Sequence, residues 1–473
     1  MASQSPSQSG QGIRLVPMMI VLISGAFVTI LNQTLLGTAL PKIMLDLDLT
    51  ASTAQWLQSV FMLVNGIMIP VTAFLIERFT TRRLFLAAMG IFTLGTLFAA
   101  IAPSFSILLS GRILQAAGAG IMMPLIQTIM FLVFPIEKRG RAMGLFGLVI
   151  AFAPAIGPTL SGWIVEHFDW RMLFFMILPI GIIDILIAYF ILQNVTKQTH
   201  PKLDVPSIIL STIGFGGFLY GFSIAGSAGW GSLQVIVSIV VGTLAIIWFI
   251  LRQLKLEEPI LEFRVFQYKL FTITTLIGMV TFMAMIGAAV VLPLFMQDML
   301  GFTAVESGLA LLPGAIVVGL LNPITGTLFD KYGARWLGII GLGILMVTTF
   351  MFTLFTPETS FAYIATVNAI RSLGVAMAMM PVTTAGLNAL PKRLIPHGTA
   401  VNNTFRQVAG SIGTALPITI MTTAARPQEG VAGEIHGVNI SFIFAGITAV
   451  IGFILAFYVR DRATDKEAKI KIR

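Results

Sequence analysis

Arg112 and Gln115 stand three residues apart inside the apolar run 105–134, a spacing that places both on one face of a helix. A charge at the centre of a membrane helix costs roughly 2.5–3.5 kcal/mol on insertion scales, so an ionisable residue there is a functional candidate by default. The competing reading of Arg112 is a structural arginine that bonds backbone carbonyls across a helix interface. Asp184, in IGIIDILIAY, is the acid placed well inside an apolar span. Burial disfavours the ionised carboxylate, which suits a group that takes up and releases a proton; a structural partner for a loop arginine is the alternative. Asp298 and Glu306 flank a short break after residue 296. They are candidates to receive protons from outside, or they mark the membrane boundary, with Glu306 near a helix start where its charge favours the dipole. Arg371 and Arg406 complete the set, either pairing with substrate or a carboxylate, or capping free carbonyls.

The elements that must carry these groups follow from composition. The chain has 473 residues, 56% hydrophobic and 10% charged, too few polar groups to cover a water-facing surface. A span needs about 20 predominantly apolar residues. Fourteen segments qualify: 15–40, 54–76, 84–102, 105–134, 141–165, 170–193, 205–226, 233–253, 270–296, 304–329, 334–356, 360–389, 398–424 and 438–459. Cytoplasmic loops carry the Lys/Arg excess. With the N-terminus inside, 23 of the 29 Lys and Arg fall on the cytoplasmic side and three outside (Lys42, Arg171, Arg426), while Arg112, Arg371 and Arg406 lie within spans. A miscounted helix would invert every later loop, so both termini are expected in the cytoplasm. The net charge of +9 is then a topology signal scattered through short loops, with no nucleic-acid partner implied. The polar start, MASQSPSQSGQG, reads as a disordered tail; it has no basic n-region, and the apolar stretch after it is too long for a signal peptide. With no Cys, disulfides and thiolate metal sites are excluded.

The chain also repeats itself. Gly326–Arg335 reads GTLFDKYGAR and Ala73–Arg83 reads AFLIERFTTRR, 253 residues apart, each placing one carboxylate (Asp330, Glu77) among basic residues at a cytoplasmic helix end. Arg112 and Arg371 keep nearly the same offset, 259 residues. Both intervals span eight helices, so two extra helices stand between two six-helix halves. The expected organisation is a disordered tail at 1–14, a six-helix bundle at 15–200, two inserted helices at 201–256, a second bundle with an interfacial lead-in at 257–460, and a basic tail at 461–473. Parallel six-span repeats with a site between them near the midplane suit alternating access by rocking. Topological anchoring is the plainer reading of the loops.

Residues 153–162 read APAIGPTLSG. A mid-helix Gly-Pro is tolerated in a membrane where neighbouring helices re-satisfy the freed carbonyls, and small side chains let backbones come close. Gly147, Ala151, Pro154, Pro158 and Ser161 form a stripe suited to packing against the opposite half, with Gly157 and Pro158 as a gating hinge. The decapeptide resembles the antiporter motif of the major facilitator superfamily, and the two loops resemble its GxLaDrxGrkxxl signature. LNQTLLGTALP (31–41), Arg112–Gly118, WRMLFFMILPIG (170–181), EEPILEFRVFQYKLF (257–271), GLALLPGA (308–315) and NNTFRQVAGSIGTAL (402–416) are similar to motifs of the fourteen-spanning drug:proton antiporters of that superfamily. Within it, the pattern is similar to the Gram-positive lincomycin-resistance type of exporter. The resemblance covers essentially the whole chain and implies an all-α major facilitator fold with 14 transmembrane helices (6+2+6). It implies that Arg112 takes part in proton exchange, and that Glu77 and Asp330, with Arg82, Arg83 and Arg335, hold one face closed. Three departures stand out: Asn32 where the first-helix signature commonly has Asp, Ala116 for a Gly, and Ile177 for an Asn. In the first loop Thr80 replaces the motif's Gly, which puts its turn geometry in question.

Asn32, Phe61, Asn65, Gln115, Met123, Phe152, Arg371 and Arg406 are the substrate-cavity candidates; Phe (36) and Met (24) are abundant, and adaptable thioethers and aromatic faces suit a promiscuous apolar cavity. No Walker sequence, HExxH or GxSxG with triad context is present, so no enzyme activity, cofactor or metal is expected. The expected function is export of amphiphilic antibiotics and toxic organic compounds, driven by the proton gradient, by a monomer in the bacterial cytoplasmic membrane. The alternative is an exporter of a single metabolite or siderophore on the same fold. A membrane-embedded sensor or intramembrane enzyme would need an output domain or a catalytic constellation.

Overall fold

The computed structural model describes residues 15–459 except 197 and 200; the tails expected at 1–14 and 461–473 lie outside the described residues. Fourteen long helices follow one another: α1 (Leu15–Asp46), α2 (Ala51–Arg78), α3 (Thr81–Ala100), α4 (Phe105–Val133), α5 (Arg139–His167), α6 (Met172–Ile191), α7 (Val205–Ala228), α8 (Leu233–Lys255), α9 (Lys269–Leu294), α10 (Ala304–Tyr332), α11 (Arg335–Met351), α12 (Phe361–Asn388), α13 (Ile395–Ala424) and α14 (Val431–Ala456). Their starts carry local signals. Thr50 accepts the Thr53 N–H at α2, Ser360 the Tyr363 N–H at α12, and Thr303 and Glu306 close a reciprocal capping box at α10, which satisfies donors that a helix start otherwise leaves free. Helix α5 continues through both Pro154 and Pro158.

Thirteen of the described helices are long and apolar enough to cross a membrane. Helix α13, the expected span 398–424, has the length, at 30 residues, but His397, Thr399, Asn402, Asn403, Thr404 and Arg406 are buried on it. It crosses as a helix shielded by neighbours, so its polarity is spent on protein contacts. Lipid-facing helices show the reverse: Ile183, Leu186 and Phe190 on α6 and Val240, Leu244 and Trp248 on α8 are exposed.

Packing repeats with a period of eight helices. Helix α1 lies on α5, α2 and α3 on α4, and α3 on α6; correspondingly α9 lies on α13, α10 and α11 on α12, and α11 on α14. The two six-helix sets meet chiefly through α5 with α10 and α2 with α13. Helices α7 and α8 pack mainly on each other, and α7 leans on both α2 and α13, so the inserted pair touches both halves. The pair is clamped at its cytoplasmic end by Arg252, whose Nε and Nη2 each donate to Asp204 at 2.8 Å. The Arg252 guanidinium beside Asp204 holds its carboxyl below the usual carboxylate range.

The first residue of the stripe expected at Gly147–Ser161 meets the other half. An added Cβ on Gly147 would touch Met380 of α12 and Asn322 of α10, whereas Gly157 packs on Thr34 of α1 in its own half, and Pro154 and Pro158 are exposed. The close inter-half seam lies one to two turns earlier: a Cβ on Gly144 would stand 2.4 Å from the Asn322 carbonyl, and one on Gly326 would stand 2.2 Å from the Gly140 carbonyl. The halves converge at the cytoplasmic ends of α5 and α10, and the outer part of the stripe packs within its own half at Gly157 or stands exposed at Pro154 and Pro158.

Candidate functional site

Four of the sequence candidates come together in the N-terminal half. Helices α1, α2, α3 and α4 bring Asn32, Phe61, Thr96, Arg112 and Gln115 into one buried cluster. Arg112 Nε donates to the Leu57 carbonyl at 3.2 Å, Nη1 donates to Gln115 Oε1 at 2.9 Å, and the guanidinium lies 4.3 Å from the centroid of the Phe61 ring. Gln115 Nε2 in turn donates to Thr96 Oγ1 (2.9 Å) and Asn32 Oδ1 (3.4 Å). Arg112 Nη2 and Asn32 Nδ2 have no partner among the described residues. A buried charge is costly unless it is paired and hydrogen-bonded. This guanidinium is held by a carbonyl, an amide and a π-face instead of a carboxylate, with one donor edge left over.

The C-terminal half repeats the arrangement in looser form. Arg371 donates to the Ala284 carbonyl and, at 3.4 Å, to Thr349 Oγ1. Arg406 lies 4.9 Å from the Phe282 ring centroid and reaches only the Met379 sulfur, at 3.8 Å, leaving Nη1 without a partner among the described residues. Neither forms an ion pair among the described residues. Asn65 and Met123 are half-buried on α2 and α4, and the Phe152 ring lies against Gly319 of α10, where an added Cβ would stand 2.1 Å from it. Phe152 therefore fills the inter-half seam.

Asp184 is buried on α6, facing Ser24, its hydrogen-bond partner, and Gly25 of α1, and its Oδ2 has no partner among the described residues. No arginine among the described residues holds it. Asp298 is exposed in the π-turn Phe295–Met299 that ends α9. Glu306 accepts from the backbone and hydroxyl of Thr303 at 2.8 and 2.9 Å, so its carboxylate serves the start of α10.

Two latches close the cytoplasmic face, related by the internal repeat. Asp330, at the end of α10, accepts the backbone N–H groups of Gly140 (2.7 Å) and Arg141 (2.9 Å) in the first turn of α5, a charge-assisted pair at a helix N-terminus. Glu77, at the end of α2, meets α13 through a side chain: His397 Nε2 donates to Glu77 Oε1 at 3.0 Å, while Nδ1 accepts the Glu262 N–H at 3.2 Å. With Nδ1 accepting a backbone N–H, Nε2 is the ring nitrogen that donates. The two turns differ as the Thr80 substitution foreshadows. Gly333 takes φ +81°, the left-handed region that favours glycine, whereas Thr80 is extended (φ −66°) and its hydroxyl caps α3 by accepting the Arg83 N–H. Arg82 stacks on Tyr189, 4.4 Å from the ring centroid, and its backbone N–H is taken by Asn194; Arg335 is exposed at the start of α11.

Sequence reasoning missed the rest of this seal. Arg139 Nη1 donates to Asn388 Oδ1 (2.7 Å), Asn403 Nδ2 donates to Gln127 Oε1 (2.6 Å), and the hydroxyls of Thr128 and Thr399 pair at 2.7 Å. A signal was available: Arg139-Gly140 and His397-Gly398 stand 258 residues apart, the offset of Arg112 and Arg371 within one residue. These bonds join the halves at their cytoplasmic ends, so the molecule is closed toward the cytoplasm. On the outer side, Asp46 accepts from Trp170 Nε1 and Arg171 Nη1, both at 3.0 Å, and Arg171 also donates to the Ala102 carbonyl. That staple lies within one half and explains the WR pair at the start of α6.

Comparison with known proteins agrees with this architecture. The model of the Major Facilitator Superfamily matches residues 22–414. The uncharacterized MFS-type transporter YcnB of Bacillus subtilis is 54% identical over 444 residues, covering 93% of this chain and 94% of its own. The lincomycin resistance protein LmrB of the same organism is 42% identical over 482 residues, covering 98% of this chain and 100% of its own. Among solved structures, the human organic anion transporter MFSD10 superposes with a TM-score of 0.69 at 12% identity, covering 93% of this chain and 99% of its own, a likeness of fold alone. With its many spans, the protein is a multi-pass protein of the cell membrane, and the chain belongs to the Major Facilitator Superfamily.

Proposed function

We propose that the protein exports amphiphilic antibiotics and other toxic organic compounds in exchange for protons, by alternating exposure of a site between its halves. The observation that carries this reading is the pair of repeat-related latches, Asp330 on α5 and Glu77–His397 between α2 and α13. A closed cytoplasmic face held by a few hydrogen bonds is a state that can open, and rocking of 15–200 against 257–460 would open it. Full-length similarity to a protein named for lincomycin resistance supports a drug substrate. Asn32, Gln115 and Arg112 then line the N-terminal wall of the site, and Arg371 and Arg406 the C-terminal wall, with no carboxylate among them to select cations. Asp184 and Arg112 are the proton-coupling groups; Asp298 and Glu306 sit at the outer boundary. One proton entering through ~100 mV releases about 2.3 kcal/mol, enough for roughly 50-fold accumulation.

The test is a drug-susceptibility panel in an efflux-deficient host, with and without a protonophore, followed by export in proteoliposomes. Resistance to several amphiphiles that collapses with the proton gradient supports the reading. Resistance to one compound only would replace it with a dedicated exporter, and export indifferent to the gradient would remove proton coupling. Full activity of both Asp184→Asn and Arg112→Ala would remove those two residues from the coupling.

A further inference from the structure

We propose that a groove between α1 and α5 holds an anionic phospholipid of the cytoplasmic leaflet. The cytoplasmic halves of the two helices leave a cavity of about 720 Å³ between them. Val16, Ile20 and Phe27 form one wall, Leu145 and Val149 the other, and Ser24 is the single uncharged polar residue in the lining. Val16 and Ile20 are 67% and 62% exposed, a large apolar surface that none of the described residues covers.

The groove faces the bilayer. At 100° per residue, Arg141, Leu145 and Val149 lie roughly 100–180° around α5 from Gly140, the face that α5 turns to α10 along with Gly144. The groove therefore opens on the side away from the opposite half. Its length fits one leaflet. Eleven residues separate Val16 from Phe27, about 16 Å of helix, against roughly 15 Å for half of a ~30 Å hydrocarbon core.

Charge selects the headgroup. Lys138 and Arg141 stand at the cytoplasmic mouth, both exposed, and neither side chain has an ionic or hydrogen-bonding partner among the described residues. The neighbouring Glu137 is not part of the lining. The Arg141 backbone N–H is committed to Asp330, so its guanidinium is the part left for a ligand. Two cations over an apolar slot of leaflet depth match a lipid whose headgroup carries a net negative charge. A zwitterionic headgroup brings an ammonium against the same cations, and free phosphate leaves the apolar walls uncovered. A lipid seated here also rests on the first turn of α5, the turn that Asp330 grips, and so favours the state closed toward the cytoplasm.

The test uses the full-length purified protein, delipidated in detergent and titrated with dioleoyl phosphatidylglycerol or dioleoyl phosphatidylcholine. Bound lipid is counted by native mass spectrometry and the thermal midpoint is followed. Phosphatidylglycerol is expected to be retained and to raise the midpoint, with phosphatidylcholine doing neither. At about fivefold per cation, Lys138→Gln/Arg141→Gln weakens phosphatidylglycerol binding roughly 20- to 30-fold. Ile20→Trp, which fills the exposed slot and keeps both cations, weakens it too, whereas Lys255→Gln, at a distant cytoplasmic helix end, does not. Equal retention of the two lipids, unchanged binding by either groove variant, or an equal midpoint shift with inorganic phosphate would each overturn the proposal.

Discussion

Asn32 is buried with its Oδ1 accepting from Gln115 and its Nδ2 without a partner among the described residues, at the position where the similar first-helix signature commonly carries Asp. A carboxylate there would remove the orphaned donor and put a negative charge within a network that holds Arg112. Asn32→Asp is therefore expected to fold and to widen resistance toward monovalent cationic dyes several-fold, read as inhibitory concentrations in the efflux-deficient host; an unchanged dye profile would show that this network does not face substrate. Glu77 and His397 make a second residue-scale prediction. Each is the other's inter-half partner, so Glu77→Gln and His397→Leu should each impair export, and the double variant should be no worse than the more severe single. Strict additivity of the two losses would mean that they act separately. Arg112, Gln115, Asn32 and Phe61 could all be named from the sequence, because a polar group in an apolar helix or a motif match marks each. Their meeting could not be read there, since it depends on how α1, α2 and α4 rotate against one another. His397 carries no such mark, because a histidine at a helix start among loop cations looks like solvated surface, and only the repeat offset to Arg139 singles it out.

At the scale of elements, α5 divides into two parts with different work. Its first three turns bring backbone to within contact of α10, and its last turns lie on α1 or stand exposed. Gly144→Ala should force α5 from α10, because its Cβ would meet the Asn322 carbonyl at 2.4 Å. Overpacking of about 1–3 kcal/mol lowers the closed-to-open ratio at the cytoplasmic face roughly 5- to 150-fold, measurable as faster labelling of a cytoplasmic probe and loss of export. Gly162→Ala, on the same helix with nothing within 4 Å of the added carbon, should be silent in both assays. The small-residue pattern is legible along the whole of α5. Which part of it touches the other half is set by the tilt between the bundles, which no local pattern encodes.

At the scale of the molecule, the hydrogen bonds that join the two halves among the described residues lie at the cytoplasmic ends, as in Thr128–Thr399, at 2.7 Å between hydroxyls. The chain has no cysteine of its own, so Thr128→Cys/Thr399→Cys can be oxidised without background. The pair should cross-link rapidly, abolish export when oxidised and restore it on reduction. Cross-linking that leaves export intact would show that the halves do not separate there. The sequence by itself determined the solvent, the number of spans, the orientation and the repeat at an offset of eight helices, because apolar length and loop charge are local quantities that each segment must satisfy alone. Only the tertiary structure decided which face is closed, that Glu77 works through His397, and that the antiporter decapeptide lies mostly outside the inter-half seam. Those depend on the relative rotation and tilt of two packed bundles, a balance of many small contacts made between residues hundreds of positions apart.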